Sequence, residues 1–220
     1  MALEPVHLEH VPPSYRVYAA FFRDVSNTEF LHAQLLSRNS EFEYAFIDAS
    51  SVVSRAHLLS AVYSAVNVLL DGALRTPNVH SEIVVSLNTN NNVLAAQAVS
   101  CPRVANPVQI ADAYRRWGIT PGKTKDLIVV KVVLPPSTTQ DGAPTAIQTQ
   151  QAVWDHLTLH VQGTPTVLTD DALAQATDWP KVRKYYRLNG VPALDRLSDE
   201  HERRKQSERL AIMGMALRGL

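Results

Sequence analysis

Leu127–Val133 reads LIVVKVV, six aliphatic residues broken by a single lysine. Side chains along a strand point alternately to opposite faces, so a run with almost no polar alternation must be covered on both sides. Seven residues is strand length rather than helix length. The segment therefore predicts a central, two-sided strand, and the rest of the chain must supply its neighbours and its cover.

Neighbouring strands are predicted at Tyr15–Phe22 (YRVYAAFF), which follows Pro12-Pro13, and at Phe42–Asp48 (FEYAFID). Ser81–Leu87 (SEIVVSL) also reads as a strand. Ser26 and Glu29 form a capping box for a helix carrying Phe30, Leu31, Leu35 and Leu36, which ends near Arg38. A long helix is expected from about Ser54 to Leu70, with Leu58, Leu59, Val62, Val66, Leu69 and Leu70 as its apolar stripe and Gly72 as its stop. Asn106 as cap, Pro107 in the first turn and Gly118 just past the end mark another helix, with Ile110, Ala113, Tyr114 and Trp117 on one face.

Val153–Val161 reads as a strand or a short helix, followed by a turn at Gly163. Helices are predicted near Asp170–Ala176, around Trp179–Leu188 and from about Asp199 to Leu217. Asn88–Asn92 is a turn by composition. Residues 93–107 look like an irregular inserted loop, and 135–148 form a Pro/Thr/Gln-rich loop. Strand and helix patterns alternate without strict βαβ order. The expected class is therefore α+β (mixed α/β), one compact domain over 1–220 with a small mixed sheet flanked by helices.

Hydrophobic residues make up 45% of the 220 and charged residues 19%, which is enough apolar material for a packed core. The net charge is zero, which argues against coating nucleic acid through an overall positive field. The charge is uneven, however: residues 181–220 hold ten Lys/Arg against five Asp/Glu, and the rest of the chain is acidic. A basic end on an acidic body suits an acidic partner or RNA, or is simply a solvated helix face. Cys101 is the one cysteine, so no intrachain disulfide forms and a reducing compartment is expected. The first residues lack the basic start and apolar run of a secretory signal, and their acids disfavour a mitochondrial presequence. No apolar run approaches membrane-spanning length, so a soluble intracellular protein without a membrane partner is expected.

Catalytic motifs are absent from the sequence. The eight glycines include no G-x-G-x-x-G or G-x-x-x-x-G-K, and there is no G-x-S-x-G elbow. Cys101 has no base beside it and reads as an incidental loop thiol. His156 and His160 are four apart and would share a helix face, but no third metal ligand accompanies them. Asp170-Asp171 suit a helix cap better than an acid/base pair. Arg115-Arg116, and Lys123 with Lys125 in the GKTK turn, are solvated charges or RNA-phosphate contacts. Leu210, Met213 and Leu217 line the last helix while Ile212 and Met215 lie on another side, so this helix either buries itself or offers a surface to another chain. No catalytic residue, metal site or cofactor is expected.

Several blocks resemble one known family. SEIVVSLNTNNN (81–92) resembles a family strand ending in an Asn-rich turn. IADAYRRWGITPGKTKDLIVVKV (110–132) is similar to its helix, turn and next strand. LTLHVQGTPTVLTDDALAQATDWPKVRKYYRL (157–188) resembles its later stretch, which ends in a basic K-V-x-K-x-Y-x-L pattern. Arg55-Ala-His57-Leu58 and the Ala-rich continuation resemble its second helix. The family is TPRKB/Cgi, the kinase-associating subunit of the KEOPS (EKC) complex, and the resemblance runs from about residue 15 to 217. Residues 93–109 and 135–148 depart from it as loop insertions.

The resemblance implies a non-catalytic subunit that binds and regulates the PRPK/Bud-type protein kinase and reaches other KEOPS subunits through it. It further implies help in binding tRNA for threonylcarbamoylation of the adenosine beside the anticodon, and a location in nucleus and cytoplasm. Leu210, Met213 and Leu217 are the candidate kinase contacts. Arg55, Arg75, Lys123 and Lys125 are the candidate tRNA contacts. Two other readings compete: a small-molecule-sensing regulatory domain, and a hydrolase or transferase of unfamiliar type.

Overall fold

The computed structural model describes residues 2–88, 107–135 and 149–217. Cys101, Asn106 and nearly all of the two loop insertions, together with the Asn-rich turn beyond Asn88, lie outside the described residues. In chain order the elements are β1 (Leu3–Val6), β2 (Arg16–Arg23), α1 (Thr28–Leu36), a 3-10 turn (Ser40–Phe42), β3 (Ala45–Asp48), α2 (Arg55–Leu70), α3 (Val79–Ser86), α4 (Pro107–Trp117) and β4 (Leu127–Val133). They continue with α5 (Gln150–His160), β5 (Thr164–Thr166), α6 (Asp170–Ala176), α7 (Trp179–Tyr185), α8 (Pro192–Asp195) and α9 (Glu200–Ala216). The class is α+β. Two compact units divide the chain: Met1–Ala49 with Gly118–Leu168, and Ser50–Trp117 with Thr169–Leu220.

The first unit holds the sheet. β4 lies between β2 and β3, with Phe22 opposite Leu127 on one side and Ile47 opposite Ile128 on the other. All seven of its residues are buried, as the continuous apolar run predicts. β1 and β5 sit end to end along the far edge of β2, opposite Val17–Ala20 and Phe21–Arg23 respectively. Every pairing among the described residues is antiparallel, which corrects the expected mixed sheet. β2 and β3 run in the same direction, as do β4 and β5, but each such pair flanks a strand of opposite direction and so never becomes a hydrogen-bonded neighbour pair. β1 had no sequence signal, being four residues long with a proline inside.

Leu31 of α1 and Val153 and Leu157 of α5 join Phe22, Phe46 and Val129 of the sheet in one apolar cluster. The ambiguous 153–161 segment is thus helical. Asn27 explains why the Ser26/Glu29 capping box does not form. Its side-chain amide donates to the His160 carbonyl at 2.7 Å and its side-chain oxygen accepts from the Gln162 N–H at 3.0 Å, so Asn27 closes the end of α5. α1 then starts at Thr28 with no side-chain cap. At Gly163 the chain passes so close to Val25 that a Cβ would meet its Cγ2 at 2.8 Å and the Arg23 carbonyl at 2.9 Å.

The second unit is helical. Ser54 caps α2, accepting from the His57 N–H at 3.1 Å, and Gly72 at φ 63° follows its end, as expected. The predicted 81–87 strand is instead α3. Asn78 caps it through the Ser81 N–H at 2.8 Å, and almost every residue of the helix is buried. A short helix buried all round shows no 3.6-residue period, so its β-branched run reads as a strand.

Candidate partner-binding surfaces

α9 begins at Asp199, whose carboxylate accepts from the His201 N–H at 3.1 Å. Ser207, Ala211 and Met215, four residues apart, form its buried face. Glu208 accepts a 2.6 Å hydrogen bond from the Ser54 hydroxyl, which ties α9 to the start of α2. Leu210 is half-buried, whereas Met213 is 55% and Leu217 59% exposed. The three predicted kinase contacts therefore form an i, i+3, i+7 row leading away from the packed face. A separate groove of about 410 Å³ lies between α2 and α9, lined by Tyr63, Asn67, Val68, Ile212 and Met215 and by none of the three.

Behind this surface lies a buried network. His57, fully enclosed on α2, places Nε2 2.6 Å from the Tyr186 hydroxyl, which donates to the Leu87 carbonyl at 2.9 Å. Burial lowers the His57 pKa to about 3 and raises that of Tyr186. Its one faint trace in the chain's residue order is a histidine next to the apolar stripe of α2.

The basic candidates are placed unequally. Lys123 and Lys125 are exposed in one turn of the first unit, which bends at Gly122 with φ 67°. Arg55 opens α2 in the second unit and is half-buried, its backbone N–H donating to Asp170 at 2.7 Å. Asp170 thus serves a local structural role, while Thr169 caps α6. Arg75 is held by Glu82. Its Nε donates to Oε1 at 2.8 Å and its backbone N–H to Oε2 at 3.2 Å, while Thr76 also donates to Oε2. The basic C-terminal stretch is laced internally: Glu200 pairs with Arg183, Arg203 and Arg204, and Arg204 lies 5.5 Å from the Trp179 ring centre.

His156 and His160 do face each other on α5, their ring centres 4.5 Å apart. His156 Nδ1 is 3.0 Å from the Tyr44 hydroxyl, and Phe42 packs edge-on to both imidazoles. Burial and the neighbouring His160 lower the His156 pKa. Beside this cluster the Lys131 ammonium donates to the Glu43 carbonyl at 2.7 Å, 4.9 Å from the Tyr44 ring centre. Burial lowers its pKa to about 8, partly opposed by the Glu43 charge. Among the described residues no group of three or more His, Cys, Asp or Glu side chains is placed to hold a metal ion.

Comparison with known proteins agrees with the sequence resemblance. A family profile described as "Kinase binding protein CGI-121" matches residues 22–98 and 104–219. The chain is 50% identical to the EKC/KEOPS complex subunit cgi121 of Neurospora crassa and 53% identical to its counterpart in Gibberella zeae, with all of both chains covered in each case. It is 41% identical to the Aspergillus fumigatus protein of the same name, over 100% of this chain and 98% of that one.

Proposed function

Because the chain belongs to the CGI-121 family of kinase-binding proteins, we propose that it is a non-catalytic subunit of an EKC/KEOPS complex. In this role it binds and regulates the PRPK/Bud-type kinase and helps hold tRNA during N6-threonylcarbamoyladenosine modification, in nucleus and cytoplasm. The observation that carries the kinase contact is the outward apolar row Leu210, Met213 and Leu217 on a helix whose opposite face is already packed. Enclosing such a side chain is worth about 1.5–3 kcal/mol. Two or three together supply the apolar centre that a stable interface needs.

A non-catalytic role is supported by where the perturbed groups are spent. His57 and Lys131 are each engaged in internal hydrogen bonds. Lys123 and Lys125 are exposed cations suited to a tRNA phosphate, and Arg55 and Arg75 of the second unit are separate candidates. The test is a calorimetric titration with the PRPK/Bud-type kinase of the same organism, repeated with tRNA present. A one-to-one complex that also takes up tRNA upholds the reading. Well-folded protein that does not bind the kinase overturns it.

A further inference from the structure

We propose that the cavity between α4 and the end of α7 is a phosphomonoester-binding site built by Arg115, Arg116 and Arg187. The cavity measures about 460 Å³. α4 brings Asp112, Arg115 and Arg116 to one side through i, i+3 and i+4 spacing. Arg116 Nη2 lies 2.9 Å from Asp112 Oδ2, and Arg115 pairs with the same carboxylate. Arg116 is further fixed by two aromatic rings, its Cζ 5.9 Å from the Trp117 centre and 5.6 Å from that of Tyr185. Its guanidinium is therefore held in place before any ligand arrives.

Arg187 reaches the cavity from the turn after α7. It has φ 55°, a left-handed conformation in which glycine is the favoured residue, and the next N–H, that of Leu188, bonds back to the Arg183 carbonyl at 2.8 Å. An arginine here works against backbone preference, and its side chain lines the cavity.

The charge balance identifies the ligand. Among the described residues, three arginines and one carboxylate, that of Asp112, line the cavity, a net of two positive charges. A phosphomonoester near neutral pH carries close to two negative charges and three strong acceptor oxygens, and the planar guanidinium donates to them in pairs. A nucleic-acid backbone carries one charge per phosphate and is gripped along a stripe, not at one converging point. The site lies apart from the kinase reading and does not depend on it.

The test is calorimetry on the full chain with inorganic phosphate, a phosphoserine peptide, the same peptide unphosphorylated, and an RNA oligonucleotide lacking terminal phosphates. Wild type is compared with Arg187→Gly, which places the favoured residue at the left-handed position, so a retained melting temperature separates lost binding from lost fold. The expected result is saturable binding of phosphomonoesters, weakened about tenfold or more in Arg187→Gly. Binding should also weaken between about pH 7.5 and pH 5.5, because the ester loses its second charge near pH 6 and no histidine is among the described residues that line the cavity. Tighter binding of the peptide than of inorganic phosphate assigns the site to a phosphorylated protein, and equal binding to small phosphoesters. No saturable phosphomonoester binding, unchanged affinity in Arg187→Gly, or equal displacement by the RNA would overturn the proposal.

Discussion

The Tyr186 hydroxyl lies 2.6 Å from His57 Nε2 and 2.9 Å from the Leu87 carbonyl, and the two contacts fix the tautomer of the histidine. A carbonyl only accepts, so the tyrosine proton points at Leu87 and His57 Nε2 must carry a proton to donate to the hydroxyl oxygen. Nδ1 is then a bare acceptor, which suits the Val53 N–H facing it at 3.4 Å. The imidazole is neutral, consistent with a pKa lowered to about 3.

Acid should therefore destabilise the protein before it titrates His57 in the fold. Unfolded chains take up this proton below about pH 6.5, while the native state refuses it until about 3. The stabilisation is complete above pH 6.5 and is lost as pH falls through that window, by about 2 kcal/mol at pH 5. Urea unfolding at neutral pH and at about pH 5 reads this loss. His57→Gln should be less stable at neutral pH and show a shallower acid dependence.

Lys131 presents the opposite case, a charge kept in a buried place. Its pKa of about 8 lies below the unfolded value, so the unfolded chain holds the proton more tightly and stability rises with pH between about 8 and 10.5. Lys131→Met removes the buried ammonium at similar volume and should stabilise the protein by about 1–2 kcal/mol near neutrality. The advantage should shrink towards pH 10. A variant less stable than wild type at pH 7 would show that the Glu43 carbonyl and Tyr44 contacts outweigh the desolvation.

Met213→Lys and Leu217→Lys place charges on exposed positions, so unfolding stability should change by no more than about 0.5 kcal/mol. Kinase affinity should nevertheless fall about tenfold or more for each. Calorimetric titration of both variants checks this, and undiminished binding would move the interface elsewhere.

The candidate tRNA contacts call for different readouts. Arg75→Gln strands a fully buried Glu82 carboxylate and should cost about 3 kcal/mol of stability, so a loss of tRNA binding there carries no information by itself. Lys123→Glu with Lys125→Glu changes an exposed turn. It should weaken tRNA binding and flatten its salt dependence while leaving the melting temperature and the kinase complex intact.

Gly163→Ala should destabilise the first unit by about 1–3 kcal/mol, because the new Cβ would enter Val25 and the Arg23 carbonyl. Thermal unfolding measures it directly.

What was legible in the sequence follows from where local and tertiary preferences coincide. LIVVKVV could only be a central strand, and α2 and α9 announce themselves through caps and stripes. α3 reads as a strand because its Val and Ile residues favour one, but they are buried on every side of a helix and packing overrides that preference. The Ser26 cap failed for a tertiary reason too, since Asn27 is engaged with α5. At the candidate surfaces, spacing alone groups Leu210, Met213 and Leu217 on one side of α9, but it leaves open whether that side is packed or outward. The Arg75–Glu82 pair could not be read from spacing, because seven residues of separation carry no periodic signal. Arg187 was equally hidden: only its backbone conformation brings it beside Arg115 and Arg116.

The pairing of Phe22 with Leu127 and of Phe21 with Thr166 also bears on how the chain is made. At translation speeds of about 5–20 residues per second, β2 leaves the ribosome several seconds before the strand that fills its long edge. Both units are assembled from an early and a late stretch, so neither completes while half the chain is still unmade. Until Leu127 and Thr166 arrive, a nascent chain carries Phe21 and Phe22 on an unpaired strand edge, the kind of edge that templates association with other chains.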